Sequence, residues 1–328
     1  MTDFISHIDI RNFKSVKSCS IKGCKRINLL IGRPNVGKSN IIEALSLFSV
    51  PYLSFNKSKS LNNLVRCENI TELFYSGNYE ESTYVETNRE SATLILDKIN
   101  GLDIKYLVPD KGIMNHYYFD DNLNMRSKRN QTFYPSIKKY QFTNQHEITK
   151  APDGVLLSPY GYNLYNVLER YPELKKEVGD LFKEYQLKLV FDRASRSMKI
   201  LKQNTNSIFL VPYNSIADTL QRIIFFKTAI ASNKESVLLF EEPEAHSFPP
   251  YITQITQEMI YNKTNQYFIA THSPFILNDL LENAREELSV YMVDYKDHET
   301  KVKRLSDNVL HEIFQSGVDL FTNSETFS

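Results

Sequence analysis

Residues 26–45, RINLLIGRPNVGKSNIIEAL, leave the chain few ways to fold. An apolar run of Ile27, Leu29, Leu30 and Ile31 leads into Gly32-Arg33-Pro34-Asn35-Val36-Gly37-Lys38-Ser39. A second apolar series then recurs at helical spacing: Ile41, Ile42, Leu45 and Phe48. The eight residues fit G-x-x-x-x-G-K-[ST] at every position, in the strand–loop–helix setting that the pattern demands. Such a loop turns its backbone N–H groups inward, and the helix behind it offers free N–H groups and a positive dipole end. A polyphosphate is the matching ligand. Gly32 and Gly37 supply backbone shapes that a side chain would obstruct. Lys38 is expected on the β- and γ-phosphates and the Ser39 hydroxyl on Mg²⁺. The expected nucleotide-binding set is therefore Gly32 through Ser39 together with Asn40.

Around this element, 328 residues with 41% hydrophobic content suffice for one large or two ordinary domains. Acids and bases balance at 39 each, so the global basic field of many nucleic-acid binders is missing, although a local patch stays possible. The three cysteines, Cys19, Cys24 and Cys67, lack metal-ligand spacing, which suits a reduced, cytoplasmic setting. No run of about eighteen apolar residues occurs and MTDFISHIDI lacks a signal pattern, so no membrane span is expected.

Two short strand patterns precede the phosphate loop, at 4–12 and 16–22. They predict an antiparallel layer beside the parallel sheet rather than a simple βαβ start. Residues 49–69 read as a polar loop with a short helix. Alternating segments at 83–87, 92–96, 104–108 and 117–120 read as a β-meander, with Asn100-Gly101 as a hairpin signal. A stretch with Arg126, Lys128, Arg129, Lys138 and Lys139 interleaves Phe133, Tyr134 and Tyr140. That pattern fits either a solvated loop or a hold on single-stranded nucleic acid, and the solvated loop is the stronger reading. Helices are expected at 162–170 and 172–185, a hairpin over 187–202, a strand at 207–211 and an apolar helix at 218–230. The terminal region reads as a hairpin (289–294 and 301–305) and a helix (308–314). The expected organisation is an ATPase core from 1–80 and 205–328, with an inserted β-meander and helical lobe at 81–204.

The second half of the site lies far along the chain. SVLLF (236–240) is a short continuous apolar run, the mark of a strand buried on both faces, and it ends in Glu241-Glu242-Pro243-Glu244. Carboxylates at the carboxyl end of a buried parallel strand sit where ligands bind. Glu241 suits a direct or water-mediated hold on Mg²⁺, and Glu242 suits polarising the water that attacks a γ-phosphate. QYFIA (266–270) is the next buried strand and ends in Thr271-His272-Ser273-Pro274. His272 is thereby expected on the same edge, within reach of a γ-phosphate.

IRNFKSV, GRPNVGKSN, LLFEEPEAH and IATHSPF together resemble ABC-type ATPase heads of the RecF/SMC/OLD branch, especially its short bacterial AAA-family members found in anti-phage and DNA-maintenance operons. The resemblance implies an α/β P-loop NTPase with an ABC-ATPase-like mixed sheet, an antiparallel β layer and an inserted β/α lobe. It implies ATP and Mg²⁺ as cofactors, Glu241 in place of the usual Mg²⁺-linked Asp, Glu242 as catalytic base and His272 as switch histidine. It also implies a homodimer closing over ATP, whose output gates DNA contact or an effector protein encoded nearby. The signature loop that such a dimer uses should fall at 213–222, with Ser215 and Asp218 as its candidate residues. The usual glycine pair is missing there, since no glycine lies between Gly179 and Gly317. Ser215-x-x-Asp218 also fits a helix capping box. No Q-loop glutamine stands out. Longer relatives carry a nuclease domain, for which no cluster of acids is seen here.

Two other readings compete. A GTPase needs an Asp three residues before a switch glycine, and none of the ten glycines has one. Its base-reading motif is approached only by Asn262-Lys263-Thr264-Asn265, which lacks the carboxylate. A nucleotide-gated scaffold with little turnover is the other alternative: the missing signature glycines favour it and Glu242 opposes it.

Overall fold

The computed structural model describes residues 4–97, 101–129, 133–144, 154–204, 207–317 and 319–322. The chain starts with an antiparallel pair, β1 (His7–Phe13) and β2 (Val16–Lys22). Strand β3 (Ile27–Ile31), the phosphate loop and helix α1 (Lys38–Ser46) follow. Next come β4 (Thr83–Thr87), β5 (Ser91–Asp97), β6 (Gly101–Val108), β7 (Ile113–Phe119), β8 (Met125–Arg129) and β9 (Ile137–Tyr140). Helices α2 (Leu164–Arg170) and α3 (Pro172–Asp180) precede a small meander of β10 (Lys188–Asp192), β11 (Ser197–Asn204) and β12 (Ser207–Pro212). The chain then runs through α4 (Asp218–Ser232), β13 (Val237–Glu241), α5 (Pro249–Tyr261), β14 (Gln266–Ala270) and α6 (Pro274–Asn283). It ends in the hairpin β15 (Leu288–Lys296) and β16 (Glu299–Arg304) and helix α7 (Asp307–Ser316). Among the described residues no helix is long and apolar enough to cross a membrane.

Two large sheets carry the fold. One is antiparallel, ordered β2-β1-β4-β5-β6-β7-β8. The other is mixed, ordered β16-β15-β3-β14-β13-β9, with β15, β3, β14, β13 and β9 parallel and β16 antiparallel at one edge. Both faces of this second sheet are covered, which is why its strands read as continuous apolar runs. Leu30, Leu239 and Phe268 face one way, into a core shared with Ile41, Ile42 and Leu45 of α1 and with Ile8, Ile10, Val85 and Leu94 of the antiparallel sheet. Leu29, Leu238, Phe240 and Ile269 face the other way, against Ile224 and Phe226 of α4, Ile255 of α5 and Ile276 of α6. Helix α1 is thus held between the sheets.

Segment 81–204, expected as an inserted lobe, contributes to more than one body. Strands β4 to β8 extend the sheet begun by β1 and β2, and β9 pairs in parallel with β13 inside the mixed sheet. The reason is burial: Val85 and Leu94 need an apolar partner layer, and α1 supplies it. The β5–β6 hairpin forms, with Asp97 opposite Gly101, while Asn100 lies outside the described residues.

The cation-rich stretch also departs from expectation. Lys138 and Lys139 are buried core residues of β9, 7% and 2% exposed, so they are unavailable to a nucleic-acid backbone. Both amines find acceptors from distant chain: Lys138 donates to Asn233 Oδ1 and Ser236 Oγ, and Lys139 to the Leu64 carbonyl.

The turn between β4 and β5 buries Glu90, which accepts a hydrogen bond from the Tyr106 hydroxyl. Burial pushes its carboxyl up to about 7. The folded state therefore holds this proton more tightly than the unfolded chain. The stabilisation is complete below the ordinary value of 4.5 and is lost as pH rises through about 7. Glu90→Gln is expected to remove this dependence and to gain ~3 kcal/mol over wild type between pH 5 and pH 8. Urea unfolding of both proteins at the two pH values measures it, and parallel curves would assign Glu90 no role in acid–base stability.

Candidate nucleotide site

The parallel strands end together. In the order β3-β14-β13-β9, their carboxyl ends deliver the phosphate loop, His272, Glu241-Glu242 and Gln141 to one edge of the sheet. Neighbouring strands lie ~4.8 Å apart, so loops far apart in sequence meet within a nucleotide's length. They line a cavity of about 660 Å³ that includes Asn35, Lys38, Ser39, Glu241, Glu242 and His272.

Both loop glycines are required by space as well as by backbone shape. Gly32 has φ +148°, and a Cβ there would lie 2.2 Å from the Val293 carbonyl oxygen. Gly37 has φ +102°, and its Cβ would lie 2.1 Å from Thr300 Oγ1. The β15–β16 hairpin thus backs the loop. Thr300 Oγ1 donates to the Val36 carbonyl at 3.0 Å and shares a 2.7 Å hydrogen bond with Ser15 Oγ, which also accepts from Asn40 Nδ2 at 2.6 Å. Ser15 and Thr300 are supports that the sequence did not reveal, because only the fold brings residues 15 and 300 together.

Pro34, Asn35, Gly37, Lys38, Ser39 and Asn40 line the cavity. Gly32 and Val36 are buried behind it, and Arg33 is exposed. Gly37 caps α1 with no side-chain hydrogen bond to the helix, leaving the end a polyphosphate would meet without a side-chain cap. Lys38 Nζ is buried and donates to the Gly32 and Arg33 carbonyls at 2.9 and 2.7 Å. Burial pushes its amine down to about 8, against the pull of Glu242.

Glu241 is the last residue of β13 and pairs across to Ala270. Its Oε1 accepts from Arg66 at 2.6 Å, and Lys139 stands 4.0 Å from Oε2. Glu242 leaves the strand with φ +43°, a backbone conformation that non-glycine residues rarely adopt. Its N–H donates to the Ala270 carbonyl at 2.8 Å, and its half-exposed carboxylate lies 3.8 Å from His272 Nε2. Desolvation and Lys38 hold the His272 imidazole below its ordinary range, with Glu242 opposing them. The neutral ring is therefore favoured near pH 7. Glu244 fixes the histidine loop: its Oε1 accepts from Thr271 Oγ1 at 2.5 Å and from the His272 N–H at 3.0 Å. Burial raises the Glu244 carboxyl.

Gln141, directly after β9, also lines the cavity. Sequence spacing alone did not single it out. The signal was hidden because IKKY, the strand that delivers it, does not look like a buried strand. Phe142 beside it stacks under Arg222 of α4, whose guanidinium carbon is 4.7 Å from the ring centroid.

Ser215 and Asp218 do not line the cavity. Ser215 is exposed at the end of a 3₁₀ turn, and Asp218 accepts from Arg222 Nε at 2.7 Å. The capping box is not formed: α4 begins at Asp218 with Ala217 at its cap and no side-chain bond there.

The donors suit Mg²⁺. A hydroxyl (Ser39) and a carboxylate (Glu241) face one cavity, and a hard cation of this size takes one or two protein oxygens and fills its octahedron with phosphate and water. Arg66 and Lys139 flank the Glu241 carboxylate at 2.6 and 4.0 Å.

Comparison with known proteins gives the family and the fold. The AAA ATPase domain family is matched over residues 4–222. Among solved structures, an SMC head bound to the C-winged helix domain of ScpA shares 16% identity with a TM-score of 0.51, covering 92% of this chain and 98% of that one. The SMC head domain of Pyrococcus furiosus, bound to the C-terminal domain of ScpA, shares 14% identity with a TM-score of 0.50, covering 95% and 99%. No curated protein matches. By its sequence match the chain belongs to the AAA ATPase domain family, and its fold is that of the SMC head domains.

Proposed function

We propose that the protein binds ATP with Mg²⁺ at Gly32–Asn40 and hydrolyses it, and that nucleotide binding closes a homodimer. The observation carrying this reading is the convergence of Lys38, Glu242 and His272 on one cavity. Lys38 meets the β- and γ-phosphates on exchanging the Gly32 and Arg33 carbonyls for phosphate oxygens. Ser39 and Glu241 would hold Mg²⁺, which would supply charge neutralisation on those phosphates. Glu242 takes the proton of the attacking water. Its positive φ marks the point where the chain leaves β13 for the site. His272, neutral and fixed by Glu244, hydrogen-bonds the γ-phosphate and reports its loss to the loop before α6.

The output is conformational: opening and closing of the dimer gates DNA contact or an effector protein, in a cytoplasmic setting related to anti-phage defence or DNA maintenance. A low-turnover scaffold is the second reading. It is favoured by Asp218 being locked to Arg222 in a signature region without glycine.

Lys38→Ala is expected to weaken ATP binding by ~10–100-fold, the loss of one charge-assisted hydrogen-bonding centre. Equilibrium titration with a fluorescent ATP analogue measures this, and unchanged affinity would remove the loop from the site. In sedimentation velocity, ATP but not ADP is expected to convert monomer to dimer. A sedimentation coefficient indifferent to nucleotide would rule out closure.

A further inference from the structure

The opposite ends of β9 and β13 border a second cavity, about 480 Å³, lined by Tyr52, Phe55, Tyr134, Lys138, Leu156 and Ser236. One wall is aromatic, and Val155, Leu156 and Leu157 supply aliphatic surface. The rings of Phe55 and Tyr134 stack 5.8 Å apart at 19°, and Tyr52 tilts toward Tyr134 at 6.5 Å. Into this surface projects one buried cation. Lys138 is 7% exposed, and its Nζ lies 6.0 Å from the Tyr52 ring centroid.

The amine has neutral acceptors in Asn233 Oδ1 and Ser236 Oγ. No carboxylate lies within ion-pair distance of it among the described residues, and the nearest acid on the cavity wall, Glu235, is exposed. Burial alone pushes the Lys138 amine down to about 8, with no neighbouring anion to hold it up. A buried ammonium normally keeps a counter-charge, because desolvation is otherwise uncompensated. Lys139, its neighbour in β9, follows that rule on the other face of the sheet, where it lies 4.0 Å from Glu241.

We propose that this cavity binds a small organic anion with a flat apolar body, its charge on Lys138 and its body among Tyr52, Phe55 and Tyr134. The cavity is of the size of small-ligand sites and mostly apolar, with Lys138 as its buried cation beside the exposed Lys234 and Glu235. An occupant touches the two strands whose far ends carry Gln141 and Glu241. The inference does not depend on ATP turnover.

The probe is 8-anilinonaphthalene-1-sulfonate, titrated by fluorescence into the full chain, with neutral N-phenyl-1-naphthylamine as its matched control. Saturable one-to-one binding of the sulfonate is expected, weakened at least tenfold in Lys138→Met while the neutral probe is held within twofold. Tyr134→Ala, at a half-exposed ring, is expected to weaken both probes. On wild type alone, 1-naphthoate should displace the sulfonate at a concentration at least tenfold below that needed of 1-naphthamide, which tests the charge requirement even if Lys138→Met fails to fold. Saturating ATP should leave the sulfonate bound. Non-saturable binding, displacement by ATP, equal displacement by acid and amide, or a folded Lys138→Met with unchanged affinity would each overturn the proposal.

Discussion

Glu242→Gln is expected to lower ATP turnover by ~10²–10⁴-fold while ATP affinity stays within a few-fold of wild type. The substitution keeps the size of the side chain and the backbone bond to Ala270 that sets its direction. It removes the capacity to take a proton and, with it, the negative charge that acts on Lys38 and His272. The half-exposed carboxylate lies 3.8 Å from His272 and pulls on Lys38 with no ion pair between them among the described residues. Stability should therefore change little, and the variant should trap the ATP-bound state. Phosphate release read beside nucleotide binding separates the two effects. Wild-type turnover that survives the substitution would move the base to Glu241 or Glu244. Absence of wild-type turnover under every condition, with binding intact, would favour the scaffold reading. Glu241→Gln should behave differently, because Glu241 is held by Arg66 and its loss should first raise the Mg²⁺ requirement.

Much of this site was legible in the sequence because buried parallel strands have a plain signature. INLLI, VLLFE and QYFIA are apolar nearly throughout, and whatever follows such strands emerges at the ligand edge. Glu241, Glu242 and His272 could be placed for that reason. IKKY breaks the signature. Its two lysines are paid for by acceptors 75 to 98 residues away, so no local pattern marked the strand, and Gln141 went unseen with it. Ser15 and Thr300 were hidden by the same physics, since a hydrogen bond across 285 residues leaves no trace in spacing. The capping box failed in the opposite way. Its local pattern was present, but Ser215 closes a separate 3₁₀ turn and the helix starts without it.

Glu43→Gln is expected to destabilise the protein by ~3 kcal/mol, the usual scale for breaking a buried ion pair from one side. Glu43 sits on α1 with a fully buried side chain. It accepts from Lys14 Nζ, from Arg66 Nε at 2.8 Å and from the Arg66 N–H at 3.3 Å. Arg66 is 64% exposed, so water screens its share of the loss, whereas Lys14 is 11% exposed and would be left without its counter-charge. The double substitution Glu43→Gln with Lys14→Met should therefore recover part of the stability lost by Glu43→Gln alone, an interaction readable by urea unfolding of the four proteins of the cycle. Simple additivity of the two losses would mean that packing around α1, and not the ion pair, was being measured. The same carboxylate connects stability to the site. Arg66 spans Glu43 and Glu241, and both Lys14 and Arg66 line the nucleotide cavity. Released from Glu43, Arg66 has one carboxylate left to hold and competes more strongly for Glu241. The Mg²⁺ concentration for half-maximal turnover should then rise in Glu43→Gln and fall back when Arg66→Ala is added, a reversal that loss of folded protein alone would not produce.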